Sequence, residues 1–146
     1  MQKFRITSLV SLFVILTGQT AWCQLPVKVS SPDKHIAVEI GLQDQKPVYS
    51  IHLNDILFME DSPLGLKTSI GDFSEGLSYA AQGSSAIKEA YDLKKAKVSH
   101  VEYHANELIV KFVNANEDTL AVQFRVSNSD VAFAYKLTAK ERNTKV

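Results

Sequence analysis

The sequence predicts an all-β fold, an antiparallel sandwich, and three observations carry that prediction. Several stretches alternate apolar and polar residues with a period of two, which puts every second side chain on one face of an extended strand. The connections between them are short and rich in residues that tolerate tight turns, as antiparallel hairpins require. No long helical segment separates the strands, which argues against a parallel sheet.

The amino terminus stands apart from the fold. Lys3 and Arg5 give a basic start, the apolar run Ile6 to Leu16 is too short to span a bilayer, and Gly18 breaks it. Ala21 and Cys23 put small residues at the positions a signal peptidase inspects, so residues 1–23 read as an export signal cleaved before Gln24. Acylation of Cys23, the only cysteine, is the alternative, although Trp22 is bulkier than the residue lipoprotein signals favour there. On either reading residues 24–146 carry no thiol, and a domain without disulfides depends on its core alone.

Loss of residues 1–23 removes Lys3 and Arg5, leaving 14 basic and 16 acidic side chains. That balance gives no support for nucleic acid or an anionic membrane as partner. The remaining length suits one domain with one core.

The strands follow in order. Val27–Ser30 is a short first strand, and the turn Ser31–Lys34 leads into His35–Leu42, where Ile36, Val38, Ile40 and Leu42 share one face. Val48–Leu53 and Ile56–Met59 form a hairpin about Asn54 and Asp55. Ser62–Leu77 contains one proline and three glycines and reads as strand fragments and turns. In the stretch that follows, Ile87, Ala90 and Tyr91 stand at helical spacing, with Ser85 placed to cap a short helix. The turns Asn114–Thr119 and Asn128–Asp130 bracket two cleaner strands. One directs Leu120, Val122, Phe124 and Val126 inward, and the other Val131, Phe133, Tyr135 and Leu137.

Chemistry-bearing patterns are sparse. No GxSxG elbow and no glycine-rich phosphate loop occurs. His100 and His104 would stand one turn apart on a helix and could share a zinc ion, but on a strand they lie about 13 Å apart. Val101 and Tyr103 alternate with them as a strand would, so His100, Glu102 and His104 read as a solvated face. The carboxylate pairs Glu60/Asp61 and Glu117/Asp118 fall in expected turns, where solvation accounts for them. Lys94–Lys97 reads as a solvated basic turn. Phe112, Phe124, Phe133 and Tyr135 fit the core face, while Tyr79 and Tyr91 are the aromatic residues left to be placed. The sequence therefore assigns no catalytic, cofactor-binding or metal-binding residue in this chain.

The order of the segments carries a resemblance. "VSSPDKHIAVEI", "PVYSIHLNDILFMEDSPLGL", "GDFSEGL", "EAYDL", "NELIVKF" and "LAVQFRVSNSDVAFAYKL" follow one another from Val29 to Leu137. The series resembles the amino-terminal domain of glycoside hydrolase family 97. The resemblance implies an antiparallel β-supersandwich of the galactose mutarotase-like kind, packed against a catalytic (β/α)₈ barrel that follows it. It also implies that "EAYDL" is extended rather than helical.

Members of that family are exported α-glycosidases of the periplasm, acting chiefly on α-glucosides or α-galactosides, many with a calcium ion beside the active site. Their catalytic carboxylates lie on the barrel and their calcium contact beyond the matching stretch. No residue here corresponds to them, so this chain alone is expected to be inactive, and the charged end "AKERNTKV" to be a connection toward the barrel. The alternative expectation is a free-standing exported module that binds carbohydrate or protein. Two positions depart from the family pattern. Val131 follows Asp130 with no intervening glycine, and Ala134 stands where the family usually has an arginine.

Overall fold

The computed structural model describes residues 26–92 and 100–140. The export signal with Cys23, the Lys94–Lys97 cluster and residues 141–146 lie outside them. Among the described residues all regular structure is strand: β1 (Val27–Ser30), β2 (Ile36–Gln43), β3 (Lys46–Leu53), β4 (Ile56–Pro63), β5 (Ser78–Asp92), β6 (His100–Val113), β7 (Thr119–Ser127) and β8 (Val131–Thr138).

The strands form two four-stranded antiparallel meanders, β1-β2-β3-β4 and β5-β6-β7-β8. Their turns follow from the residues present. Asp44 and Gln45 between β2 and β3, and Asn54 and Asp55 between β3 and β4, all take positive φ, the two-residue turn whose twist matches paired strands. The β7–β8 turn forms without the glycine usual there. Its Ser127 Oγ accepts the backbone N–H groups of Ser129 and Asp130 at 3.2 and 3.1 Å and donates to the Asp130 carboxylate at 2.6 Å.

The two sheets bury their facing sides against each other. Val38 and Ile40 of β2 meet Leu108, Val110 and Phe112 of β6 and Leu120, Val122, Phe124 and Val126 of β7, nearly all without solvent contact. Each such side chain contributes about 1.5–3 kcal/mol by leaving water. The period-two faces read from the sequence are therefore the faces that pack.

Two segments differ from local expectation. Residues with helical spacing around Ile87 belong to β5, which pairs with β6 from Ser78↔Val113 to Asp92↔His100, as the family resemblance implied. Tertiary pairing overrides a short local preference. Glu60 and Asp61 lie on β4 rather than in a turn. The irregular stretch between β4 and β5 closes one end of the sandwich by inserting Leu64, Phe73 and Leu77, all fully buried or nearly so. Gly65 permits that closure, because a Cβ there would come within 2.6 Å of the Ser74 Cα. The stretch is pinned by Leu64 N–H to Pro47 O at 2.8 Å, Leu77 N–H to Gln45 O at 3.0 Å, and a Lys67–Asp72 ion pair at 2.9 Å.

Candidate functional site

The two sheets are staggered. β1 lies over β6 and β2 over β7, and Tyr49 on β3 meets Phe133 on β8, with ring centroids 5.7 Å apart. β4 therefore projects past the edge of the second sheet, with no described strand beneath it. This side of the sandwich is open, and what it presents is apolar.

On β4, Ile56 is 72% exposed and Phe58 71%, with Met59 also in solvent, and Leu53 at the end of β3 adds to the patch, while exposed Leu57, opposite His52, lies on the other face of the sheet. Register places Ile56 opposite Leu53 and Met59 opposite Ile51, so both continue the core face of β3. Irregular pairing between Tyr49 and His52 bends β4, as bulges do at sheet edges. On β8, Phe133 and Tyr135 stand opposite the fully buried Phe124 and Val122, yet remain 43% and 40% exposed.

Aromatic contacts link this side to the core. Tyr49, Phe124 and Phe133 sit 5.4–5.7 Å apart, and Tyr135 packs edge-on to Phe133 at 5.5 Å. The Tyr135 hydroxyl donates to Leu64 O at 3.0 Å, and partial burial raises its pKa. The open side is thus a continuation of the core left uncovered, rather than a scatter of surface hydrophobics.

The outer face of the second sheet holds a largely buried carboxylate, Glu107. Register lines up Ser85, Glu107, Arg125 and Ala132 across β5 to β8. Gln123 Nε2 and Arg125 Nε, the latter at 3.0 Å, both donate to Glu107 Oε2, and Ser85 Oγ donates to Oε1 at 3.2 Å. These donors, Gln123 foremost, hold the Glu107 carboxyl below its ordinary range. The constellation is a satisfied structural network. Gln123 and Arg125 share the polar face of β7 in the sequence pattern, but nothing local indicates that Glu107, from another strand, lies between them. Beside it Ala132 and Ala134 border a hollow of about 200 Å³. Ala134 faces this hollow opposite Gln123, at the position where the family pattern has arginine.

The residues weighed for chemistry are placed as follows. His100 pairs with Asp92 Oδ1 at 2.8 Å, while Glu102 and His104 are exposed on the same face of β6, so this is the solvated face expected. Glu60 and Asp61 are exposed on β4. Glu117 is an exposed turn residue paired with Lys140 Nζ. Asp118 is fully buried, and its carboxylate accepts Lys140 N–H at 3.0 Å and the Asn114 amide at 3.4 Å, a clamp on the chain leaving β8. Tyr79 packs half-buried against the core, and Tyr91 is exposed. Among the described residues no three His, Cys, Asp or Glu side chains converge as metal ligands.

Residues 29–146 match the profile of the glycosyl-hydrolase 97 N-terminal family. Among solved structures, that of a beta-arabinopyranosidase superposes with a TM-score of 0.73 at 38% identity, covering 82% of this chain and 19% of that one. A glycoside hydrolase family 97 enzyme from Pseudoalteromonas sp. strain K8, solved with panose and with acarbose, gives a TM-score of 0.71 at 24% identity, covering 76% of this chain and 17% of that one. The chain spans about a fifth of the length of these structures. No curated protein matches it.

Proposed function

Because this chain belongs to the glycosyl-hydrolase 97 family, as its amino-terminal domain, we propose that it is the non-catalytic β-sandwich of an exported α-glycosidase, built to support a catalytic (β/α)₈ barrel. The observation that carries this reading is the apolar open side formed by β4 and β8, continuous with the core at Tyr49 and Phe133. A face of that kind is what an obligate neighbour within one polypeptide covers. The residues 1–23 leader supports export to the periplasm, and the family resemblance supports α-glucosides or α-galactosides as substrates. The beta-arabinopyranosidase likeness extends the candidate substrates to other pyranosides. Calcium, where used, would be held outside this domain.

Two measurements test the proposal on the purified chain. It should release no nitrophenol from p-nitrophenyl α-glucoside, α-galactoside or arabinopyranoside. Turnover abolished by mutating one of its own carboxylates would overturn the non-catalytic assignment. It should also bind an apolar dye or self-associate, and Ile56→Glu with Phe58→Glu should suppress this. A monomer that ignores the dye would remove the basis for a covered face.

A further inference from the structure

Two four-stranded meanders leave four free strand edges, β1 and β4 on the first sheet and β5 and β8 on the second. A free edge presents unpaired N–H and C=O groups and invites another strand, so proteins blunt it with shortness, charge, proline, a bulge or a covering element. Three of the four edges carry such devices. β1 has four residues, Lys28 among them, and follows Pro26. β4 is bent by its irregular pairing and carries Glu60, Asp61 and Pro63. β8 carries Lys136, and the projecting β4 overhangs its free side.

β5 is the exception. It is 15 residues long, free of proline, and exposed along its length apart from half-buried Tyr79 and Ile87. Ser78–Ile87 carries no charge, Lys88 being the first, and the irregularity in its pairing with β6 falls near its start, between Tyr79 and Ala81. A Cβ added at Gly83 would meet nothing within 4 Å. Among the described residues no strand pairs with the outer side of β5.

The stagger of the sheets leaves this edge accessible. β1 lies over β6, so β5 projects past the first sheet, and a groove of about 770 Å³ opens between β1 and β5. It is lined by Ser84 and Ala86 of β5 and by Lys28, Ser31, Lys34 and Asn106. With a lining this small and polar, β5 needs no apolar layer above it, unlike β4. What it lacks is a ladder partner.

An antiparallel edge is its own complement, because a two-fold axis normal to the sheet sets N–H against C=O in both directions. An axis through Ser84 sets Ala81 opposite Ile87, Gln82 opposite Ala86 and Gly83 opposite Ser85 of a second copy, and brings Lys88 and Glu89 against the uncharged start of the strand. No like charges meet. The same operation at β8 fails, since β3 lies over β8 and the overhanging β4 of each copy would fall in the space of the other's β3.

We propose that this chain pairs with a second copy of itself through β5, Ala81–Ile87 antiparallel to the same stretch, joining the β5–β8 sheets of the two copies into one. The interface lies on the opposite side of the sandwich from the open side between β4 and β8 and stands independently of the role assigned to that side.

Sedimentation equilibrium of the purified chain carrying Ile56→Glu with Phe58→Glu is the test, because association through the open side is then suppressed. A reversible monomer–dimer equilibrium is expected in that background. Ser84 is exposed and its side chain makes no hydrogen bond among the described residues, so Ser84→Lys and Ser84→Glu should keep the fold. Each should weaken the dimer about tenfold by setting like charges face to face. Mixing the two variants in equal amounts should restore it, since the facing charges are then opposite. A chain that stays monomeric in the Ile56→Glu, Phe58→Glu background overturns the proposal and leaves the reading of the open side standing. A dimer that neither Ser84 variant weakens, or that the mixture does not restore, overturns it as well.

Discussion

β7 and β8 are neighbours with nearly the same sequence pattern and opposite fates. "LAVQFRVS" sets Leu120, Val122, Phe124 and Val126 on one face and buries all four completely, whereas "VAFAYKL" sets Phe133 and Tyr135 on that same face and leaves both substantially in solvent. The difference lies in position. β7 has a strand on each side and β2 above it, while β8 is an edge with β3 above it and nothing described beyond. Periodicity tells which face of a strand is apolar; the layers around it decide whether that face is covered.

The sharpest test of this contrast compares two register partners, Phe124 and Phe133. Phe124→Ala opens a cavity in a closed core and is expected to cost about 3–5 kcal/mol. Phe133→Ala removes a ring with water already on one side and should cost about 1 kcal/mol in the isolated chain. Urea unfolding of both variants measures the pair, and equal losses would mean that β8 is as enclosed as β7. If a barrel covers the open side, the Phe133 cost should rise toward that of Phe124 in the full-length enzyme.

Next in size is the closed end of the sandwich, where the chain leaves β8. Asp118 is fully buried and holds the backbone of Lys140 beside the β6–β7 turn. Asp118→Ala strands those donors and is expected to cost about 2 kcal/mol, read by thermal unfolding. Glu117→Ala, one residue away but exposed, should change stability by less than about 0.5 kcal/mol. Similar losses at both positions would show that the clamp does not depend on burial.

Much of this architecture was legible in the sequence. The faces of β2, β7 and β8, the Asn54–Asp55 and Asn128–Asp130 turns, and the solvated His100, Glu102 and His104 follow from alternation and turn chemistry. Two kinds of feature were not. Leu64, Phe73 and Leu77 plug the core from a stretch whose one proline and three glycines mark turns but do not say that its few apolar residues point inward. Glu107 gains its partners from β5 and β7, and cross-strand pairs are invisible until register is known. The exposure of β4 was hidden for a related reason, since "ILFM" reads as core and becomes surface only because the sheets are staggered.

The smallest expected effect concerns pH, and it separates the closed end from the outer face of the second sheet. Asp72, in the plug, is held at about 2, below its ordinary value of 3.8, first by Lys67 and then by Ser74. A carboxyl lowered on folding contributes stability that is complete above its unfolded value and is lost as pH falls toward the folded one. Its contribution should therefore fade from about pH 4 down to about pH 2. Glu107 is also lowered, with Gln123 and Arg125 as donors, so it adds loss in the same direction, starting near its own ordinary value of 4.5. Asp72→Asn should flatten the melting-temperature curve between about pH 4 and about pH 2, and Glu107→Gln should remove the loss that begins as pH falls below about 4.5. Because Asp72 is exposed, salt should erase its share first, leaving the slope due to the better-buried Glu107. An Asp72→Asn curve that keeps the full acid slope at low salt would mean that the Lys67–Asp72 pair contributes nothing to closing that end.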